Sequence, residues 1–400
     1  MLTVAGAAYY TIGRRPLRCD TLLKGAPMVR SYFTHDNWME KQADGGVPVY
    51  HDCYVDDLRT LKLGHWAMRD CDAAFIRFTD MGGVTEARVQ EIPPGGSLKP
   101  FKLGVDEMVY VLSGTGLASV WGRSAEVRRD FEWSARSVFI IPRNSWCELR
   151  NMEGDKPVRL LHYNYLPIAM SVIPDPSFFF NNPDVNDSLI DDADANFFSE
   201  AKDFVKEFGS AWGKVGGQVW RGNFYPDLLA WDKIVSVGDR GAGGASVYMY
   251  VPGSEMSCHM SVFPPGTYKK AHRHGPGRLI IIPGGEGFSI MWPAGGENDK
   301  KIYRWHEGSA LTPPDQWFHQ HFNLGSKPAR YFALHPPVQF IGKEEDAQGN
   351  STEVNIEYVD EDPWIRQVFE EELAKHGLTT GMPEECYTNP DYKFKSVKLS

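Results

Sequence analysis

Cysteine is scarce in this chain, six residues in 400. Cys19, Cys53, Cys71, Cys147, Cys258 and Cys386 form no Cys-x-x-Cys pair. That excludes a cysteine-built zinc ribbon or a dithiol redox motif and suits reduced thiols, so a cytoplasmic protein is expected. Long apolar runs are missing as well, and no membrane span is expected. The stretch Met1 to Arg15 has no charged start leading into an apolar core, so no signal peptide is read. Positive charge is in deficit: Lys+Arg 42 against Asp+Glu 52 leaves −10. Phosphate binding rests on clustered positive charge, so nucleic acid is not an expected partner.

Turn and strand formers are abundant. The 39 glycines, 27 prolines and 13% aromatics argue for many short strands rather than a helical bundle. The length exceeds one small core, so two domains are expected. Ala87–Ile92, Glu107–Leu112 and Ser137–Ile141 are short β-rich runs separated by Pro93-Pro-Gly-Gly96 and Ser113-Gly-Thr-Gly116, the texture of a sandwich or barrel. The texture lapses after Pro174. There Phe198, Ala201, Phe204, Val205 and Phe208 are spaced for a helix within Ala195 to Trp212. It returns from Ala245 to Phe340. Near the end, Asp362-Pro363 reads as a helix start and Gly377 as its stop. The expected plan is an N-terminal extension (1–72), a β barrel (73–170), a helical linker (171–244), a second barrel (245–342) and a tail with a helix (343–400). The barrels look like an internal repeat: Pro93-Pro-Gly-Gly96 pairs with Pro264-Pro-Gly266, Gly114 to Gly116 with Gly285 to Gly287, and Pro142 and Asn151 with Pro314 and Asn323.

Eight of the twelve histidines follow residue 250. His272 and His274 form one i, i+2 pair, and His319 and His321 another. On strands each pair points to one side. Two such strands in one barrel can offer three or four nitrogens to a divalent transition metal. Hydrogen-bonded histidines without a metal are the plainer alternative.

These segments resemble the two motifs of the cupin superfamily. Gly266-x5-His272-x-His274-x3-Arg278-x6-Gly285 follows the first, with Arg278 at the glutamate ligand position. Gly308-x5-Pro314-x-Gln316-x2-His319-x3-Asn323 follows the second, with Gln316 at a turn glycine. The resemblance implies an all-β bicupin of two jelly-roll (double-stranded β-helix) barrels, with metal ligands His272, His274 and His319. The earlier repeat keeps the frame but carries Phe101, Leu103, Glu107 and Cys147 at the corresponding positions, so the first barrel is expected to bind no metal. Within the superfamily, Ala271-His-Arg-His-Gly-Pro276, Gly285-Glu-Gly287, Thr312-Pro-Pro314 and His319 to Asn323 resemble the gentisate dioxygenase group, which also lacks the glutamate. That group holds its metal in the first barrel, and its substrate arginine falls at Ile280 here. Arg278 shares strand parity with Ile280 and could take its place.

Histidines without a carboxylate leave a bound metal at +2 with open positions, which suits Fe(II) and O2; manganese or zinc could instead activate a water. The expected function is a metal-dependent dioxygenase on a small hydroxyaromatic or enolic acid. The alternative is a redox-neutral hydrolase, lyase or isomerase on a small acid or carbonyl compound. Arg278 is expected to bind a substrate carboxylate, His321 to act as a base, and Trp292, Trp317 and Tyr331 to line the cavity. His259 and His335 could reach the same interior. A homodimer or dimer-based oligomer is expected, with Tyr32, Phe33, Trp38, Trp364, Ile365 and Phe369 of the arms at its interface.

Overall fold

A computed structural model describes residues 33–186, 198–199, 202–206, 217–230, 235–236, 241–242, 244–337 and 355–394. The β-rich runs form two barrels, each a large sheet facing a smaller one. In the first, the large sheet orders the strands Val49–Tyr50, Cys71–Ile76, Glu86–Ile92, Val158–Asn164, Glu107–Ser113, Val138–Ile141 and Phe224–Tyr225. It faces Ser97–Phe101, Trp146–Asn151, Thr115–Trp121 and Arg129–Ser134. In the second barrel the large sheet is centred on Ala245–Tyr250, Ser257–Phe263, Ala329–His335 and Leu279–Gly284. Opposite lie Lys301–Trp305, Gly287–Pro293, Trp317–Asn323 and Ala271–His272.

The two large sheets stack back to back, so their strands are buried on both faces. Along Glu107–Ser113, Val109 and Val111 face the first barrel's interior, whereas Met108, Tyr110 and Leu112 face the other barrel. Along Leu279–Gly284 the alternation repeats. Ile280 and Ile282 point into the second barrel, while Leu279 and Ile281 join the cluster shared between barrels. Tyr110 stacks on Phe332 across that seam, with ring centroids 6.0 Å apart.

The repeat is visible atom by atom. Asn151 Nδ2 donates to the carbonyls of Ile92, Pro93 and Lys156, and Asn323 Nδ2 to those of Phe263, Pro264 and Lys327. Gly95 and Gly266 have φ of 62° and 63°. Asn144 and Gln316 are both left-handed, at 56° and 59°, so Gln316 holds the turn that a glycine would make. Each donates its N–H to the segment just past an earlier strand: Asn144 to the Leu103 carbonyl, Gln316 to that of His274.

The segments outside the barrels are woven into them. Val49–Tyr50 pairs with Cys71–Ile76, while Tyr54–Val55, from the stretch read as an extension, pairs with Ala310–Leu311 of the second barrel. Phe224–Tyr225 of the expected linker pairs with Val138–Ile141, and Asn355–Ile356 of the tail pairs with Ala271–His272. The helix expected within Ala195 to Trp212 is corrected. Lys202–Lys206 is a strand paired with Gly217–Arg221, and 195–197, 200–201 and 207–212 lie outside the described residues. The alternative pairing partner outweighed a five-residue apolar spacing. Helices stand earlier instead, at Leu166–Val172 and Pro176–Phe180.

The tail helix, Pro363–Lys375, follows its sequence signals. Asp362 caps it by accepting from the Trp364 N–H, and Gly377 beyond its end has φ 70°. Its face Ile365, Phe369 and Leu373 packs on Tyr268, Phe288 and Phe322, covering the outer side of the second barrel's small sheet.

Candidate metal centre

His272 lies directly across from His319, because Ala271–His272 pairs with Trp317–Asn323 at that register. The corresponding pair in the first barrel is Phe101 and Cys147. His272, His274 and His319 are buried, at 7%, 9% and 1% exposure. Their ligand atoms all lie within 4.8 Å of one another. Two metal–nitrogen bonds of about 2.1 Å span about 4.2 Å at most, so the rings need draw in only slightly to share an ion.

The hydrogen bonds behind the rings fix their tautomers. Nδ1 of His272 faces the Lys270 carbonyl at 3.2 Å, that of His274 the Gly275 carbonyl at 3.0 Å, and that of His319 the Trp317 carbonyl at 3.1 Å. A carbonyl only accepts, so each Nδ1 carries a proton and each Nε2 is the basic nitrogen of its ring. Burial, then Arg278 and His319, hold His274 well below its ordinary pKa, in the neutral form that ligates. Among the described residues no carboxylate joins this group.

Two strands of identical frame, a histidine pair at the register point of one and apolar residues at that of the other, decide the architecture. The fold is a pair of barrels of one frame, the architecture that the cupin resemblance implies. No family model and no curated protein sequence matches the chain. Among solved structures, salicylate 1,2-dioxygenase from Pseudoaminobacter salicylatoxidans, in adducts with gentisate, is 11% identical with a TM-score of 0.44 over 76% of this chain and 79% of that one. Lactobacillus farciminis oxalate decarboxylase in its formate complex is 10% identical, with a TM-score of 0.44 over 84% and 96%. An oxalate decarboxylase of Bacillus subtilis, described for its Mn(II) centres, is 10% identical, with a TM-score of 0.44 over 86% and 90%.

Around the three histidines, the expected site residues divide. Arg278 is buried at 7% exposure, two residues before inward-facing Ile280, and its charge depresses His274 and His335. The turn before it is held from the first barrel: Thr85 Oγ1 and Tyr163 OH both donate to the Gly277 carbonyl, at 2.9 and 2.6 Å. His321 is buried, its ring 5.6 Å from that of His319 and 4.8 Å from that of Tyr331. Its Nδ1 is 2.7 Å from Ser289 Oγ, which accepts the Trp305 N–H at 3.1 Å. Tyr331 and Trp317 both pack in the inward cluster with Met291 and Ile280.

Trp292 is a correction. Its neighbour Met291 pairs with His319 and faces inward, so Trp292 faces outward, into the cluster under the tail helix and onto Phe318 at 5.7 Å. It does not line the site.

Sequence reasoning passed over Lys269, and named His259 and His335 only as residues that could reach the same interior. Lys269, 2% exposed, donates to Ser261 Oγ and lies 5.1 Å from the Tyr331 ring centre. Strand parity gave no signal for it, because Lys269 shares parity with Ala271, which packs in the outward cluster. His259 and His335 are hydrogen-bonded to each other at 2.7 Å, one donating and one accepting. Their residue types were noticed, but no spacing links positions that meet only when Ser257–Phe263 and Ala329–His335 pair.

Proposed function

We propose that this chain is a bicupin and a metal-dependent enzyme whose second barrel holds one divalent transition metal on His272, His274 and His319. We further read it as an Fe(II) dioxygenase acting on a small hydroxyaromatic or enolic acid. The observation that carries the reading is the donor set: three Nε2 atoms with a fixed tautomer, no carboxylate, and a buried arginine beside them. Bound there, the metal would keep its full +2 charge and open positions for a chelating substrate and O2. A guanidinium buried beside such a cation is costly unless an anion offsets both. Arg278 therefore selects an acid and fixes its orientation through a bidentate fork.

Ser289 Oγ accepts the Trp305 N–H and is hydrogen-bonded to His321 Nδ1, which holds the imidazole ring in place. His321 Nε2 is the nitrogen this leaves to exchange a proton with the substrate. Tyr331 and Trp317 supply a flat, apolar wall for the substrate body. The test is metal analysis of protein purified without oxygen, followed by oxygen uptake with gentisate, salicylate and related acids. Iron with substrate-dependent uptake is expected. Zinc or manganese with turnover but no uptake would replace this reading with a redox-neutral one.

A further inference from the structure

The first barrel has a cavity of about 500 Å³ at the mouth where the metal ligands would stand in the second. Phe101 and Leu103, at two of those positions, are part of its wall. Trp66, Trp146 and Phe180 extend that wall, so most of the enclosure is flat and apolar. Among the described residues, the charged ones lining it are Arg69, Arg88 and Lys102, three cations with no carboxylate.

Two of these cations are already occupied. Arg88 donates to Gln90 and forms ion pairs with Glu86 and Glu107. Lys102 donates to the carbonyls of Asn182 and Asp184. Arg69 differs. It is 7% exposed, and its Nε and Nη2 are enclosed with no hydrogen-bond partner. Glu107 is close enough to act on its charge, but both Glu107 oxygens are taken by Arg88 and His162. The Arg69 guanidinium carbon lies over the Phe101 ring, 3.6 Å from its centre, which holds the fork in place. Burial and the nearby Arg88 pull its pKa down to about 10, as befits a cation enclosed without a partner.

We infer that the first barrel is a second ligand site, taking a small organic carboxylate with an apolar or aromatic body. The carboxylate pairs with the Arg69 guanidinium, whose enclosed Nε and Nη2 turn towards the cavity to meet it, and the body lies among Trp66, Phe101 and Trp146. A buried arginine with unmet donors is destabilising on its own, and an anion offsets that cost. The cavity exceeds what a bare inorganic ion needs, and its walls offer an apolar body more than they offer water. This inference stands on the first barrel alone and does not depend on the metal.

Calorimetric titration of the full-length His272→Ala/Arg278→Gln protein with benzoate tests it, because that background disables both the metal site and the carboxylate-binding arginine of the second barrel. Saturable binding of one benzoate per chain is expected, with neutral benzamide at least about 10-fold weaker. Arg69→Gln should weaken benzoate about 10- to 100-fold, the range of a hydrogen-bonded charge. Should Arg69→Gln unfold, Met68→Glu serves instead. Met68 is 46% exposed at the cavity rim, and a carboxylate there should repel benzoate and leave benzamide unchanged. Absence of saturable benzoate binding, equal affinity for benzamide, insensitivity to both substitutions, or binding of inorganic phosphate in preference to benzoate would each overturn the inference.

Discussion

His272 and His319 face each other because two short strands meet at one register, and each ring is held from behind by a carbonyl of its own chain. Replacing His272 by Ala leaves that backbone in place and removes one ligand. Bound metal measured by elemental analysis should fall, with affinity lost by about 100-fold or more, since even partners outside the ligand set cost 10- to 100-fold. Retention of a full metal equivalent would move the site elsewhere. Arg278 poses a different question. Lysine keeps the charge but not the fork, so Arg278→Lys should raise KM by about 10- to 100-fold while metal content stays at the wild-type value. An unchanged KM would remove Arg278 from substrate binding.

At the scale of elements, the tail helix covers a sheet whose other face holds the ligands. Phe369 is fully buried against Tyr268 and Phe322, at 5.0 and 5.5 Å between ring centres. Phe369→Ala should cost about 3–5 kcal/mol, read by denaturant unfolding. Beside it, Glu361 accepts the Tyr268 hydroxyl at 2.6 Å and the Gln320 amide at 2.5 Å, yet burial still pushes its pKa up to about 7. Raised in the folded state from an ordinary 4.5, this group leaves stability intact below about 4.5 and withdraws it as pH rises through about 7. Thermal midpoints should decline over that window, and Glu361→Gln should flatten the decline. Parallel pH profiles in the two proteins would show that Glu361 contributes nothing to it.

The strands bearing ligands were legible in the sequence because a turn glycine and an i, i+2 pair fix position and side together, as at Gly266 and His272. The tail helix was legible through Asp362 and Gly377. Trp292 was misplaced because which face of a strand looks inward depends on what covers the other one, and nothing local announces that Ile365 and Phe369 lie over it. The first barrel's polar interior was missed for a related reason. Glu86, Arg88 and Glu107 meet across two strands, and Arg69 reaches the same barrel from a turn before Cys71–Ile76.

Taken whole, the two barrels share one apolar seam that includes Tyr110, Leu112, Met260, Phe332 and Leu334. They exchange strands as well, through Tyr54–Val55. Cooperative unfolding in a single calorimetric transition is therefore expected, and Phe332→Ala should lower its midpoint without splitting it; two resolved transitions would show independent barrels. The arms expected to seek a partner mostly find one within the chain: Trp38, Ile365 and Phe369 are buried, while Phe33 and Trp364 are 44% and 38% exposed. Tyr32 lies outside the described residues. We propose a homodimer or a dimer-based oligomer, and light scattering should give about twice the chain mass or a multiple of that; a value of 45.1 kDa would refute it.

Phe101 stands against Cys147 in the register that sets His272 against His319, so the chain holds two frames of one gauge fitted for different cargo. An engineer wishing for a two-metal variant would write Phe101→His, Leu103→His and Cys147→His and find the backbone already in place. The obstacle would be charge rather than shape. Arg69 and Arg88 occupy the approach, and a divalent ion entering there meets the same lining that favours an anion. Conversion would have to exchange those cations together with the ligands, which makes the sign of the lining, more than the shape of the barrel, the setting that tells the two halves apart.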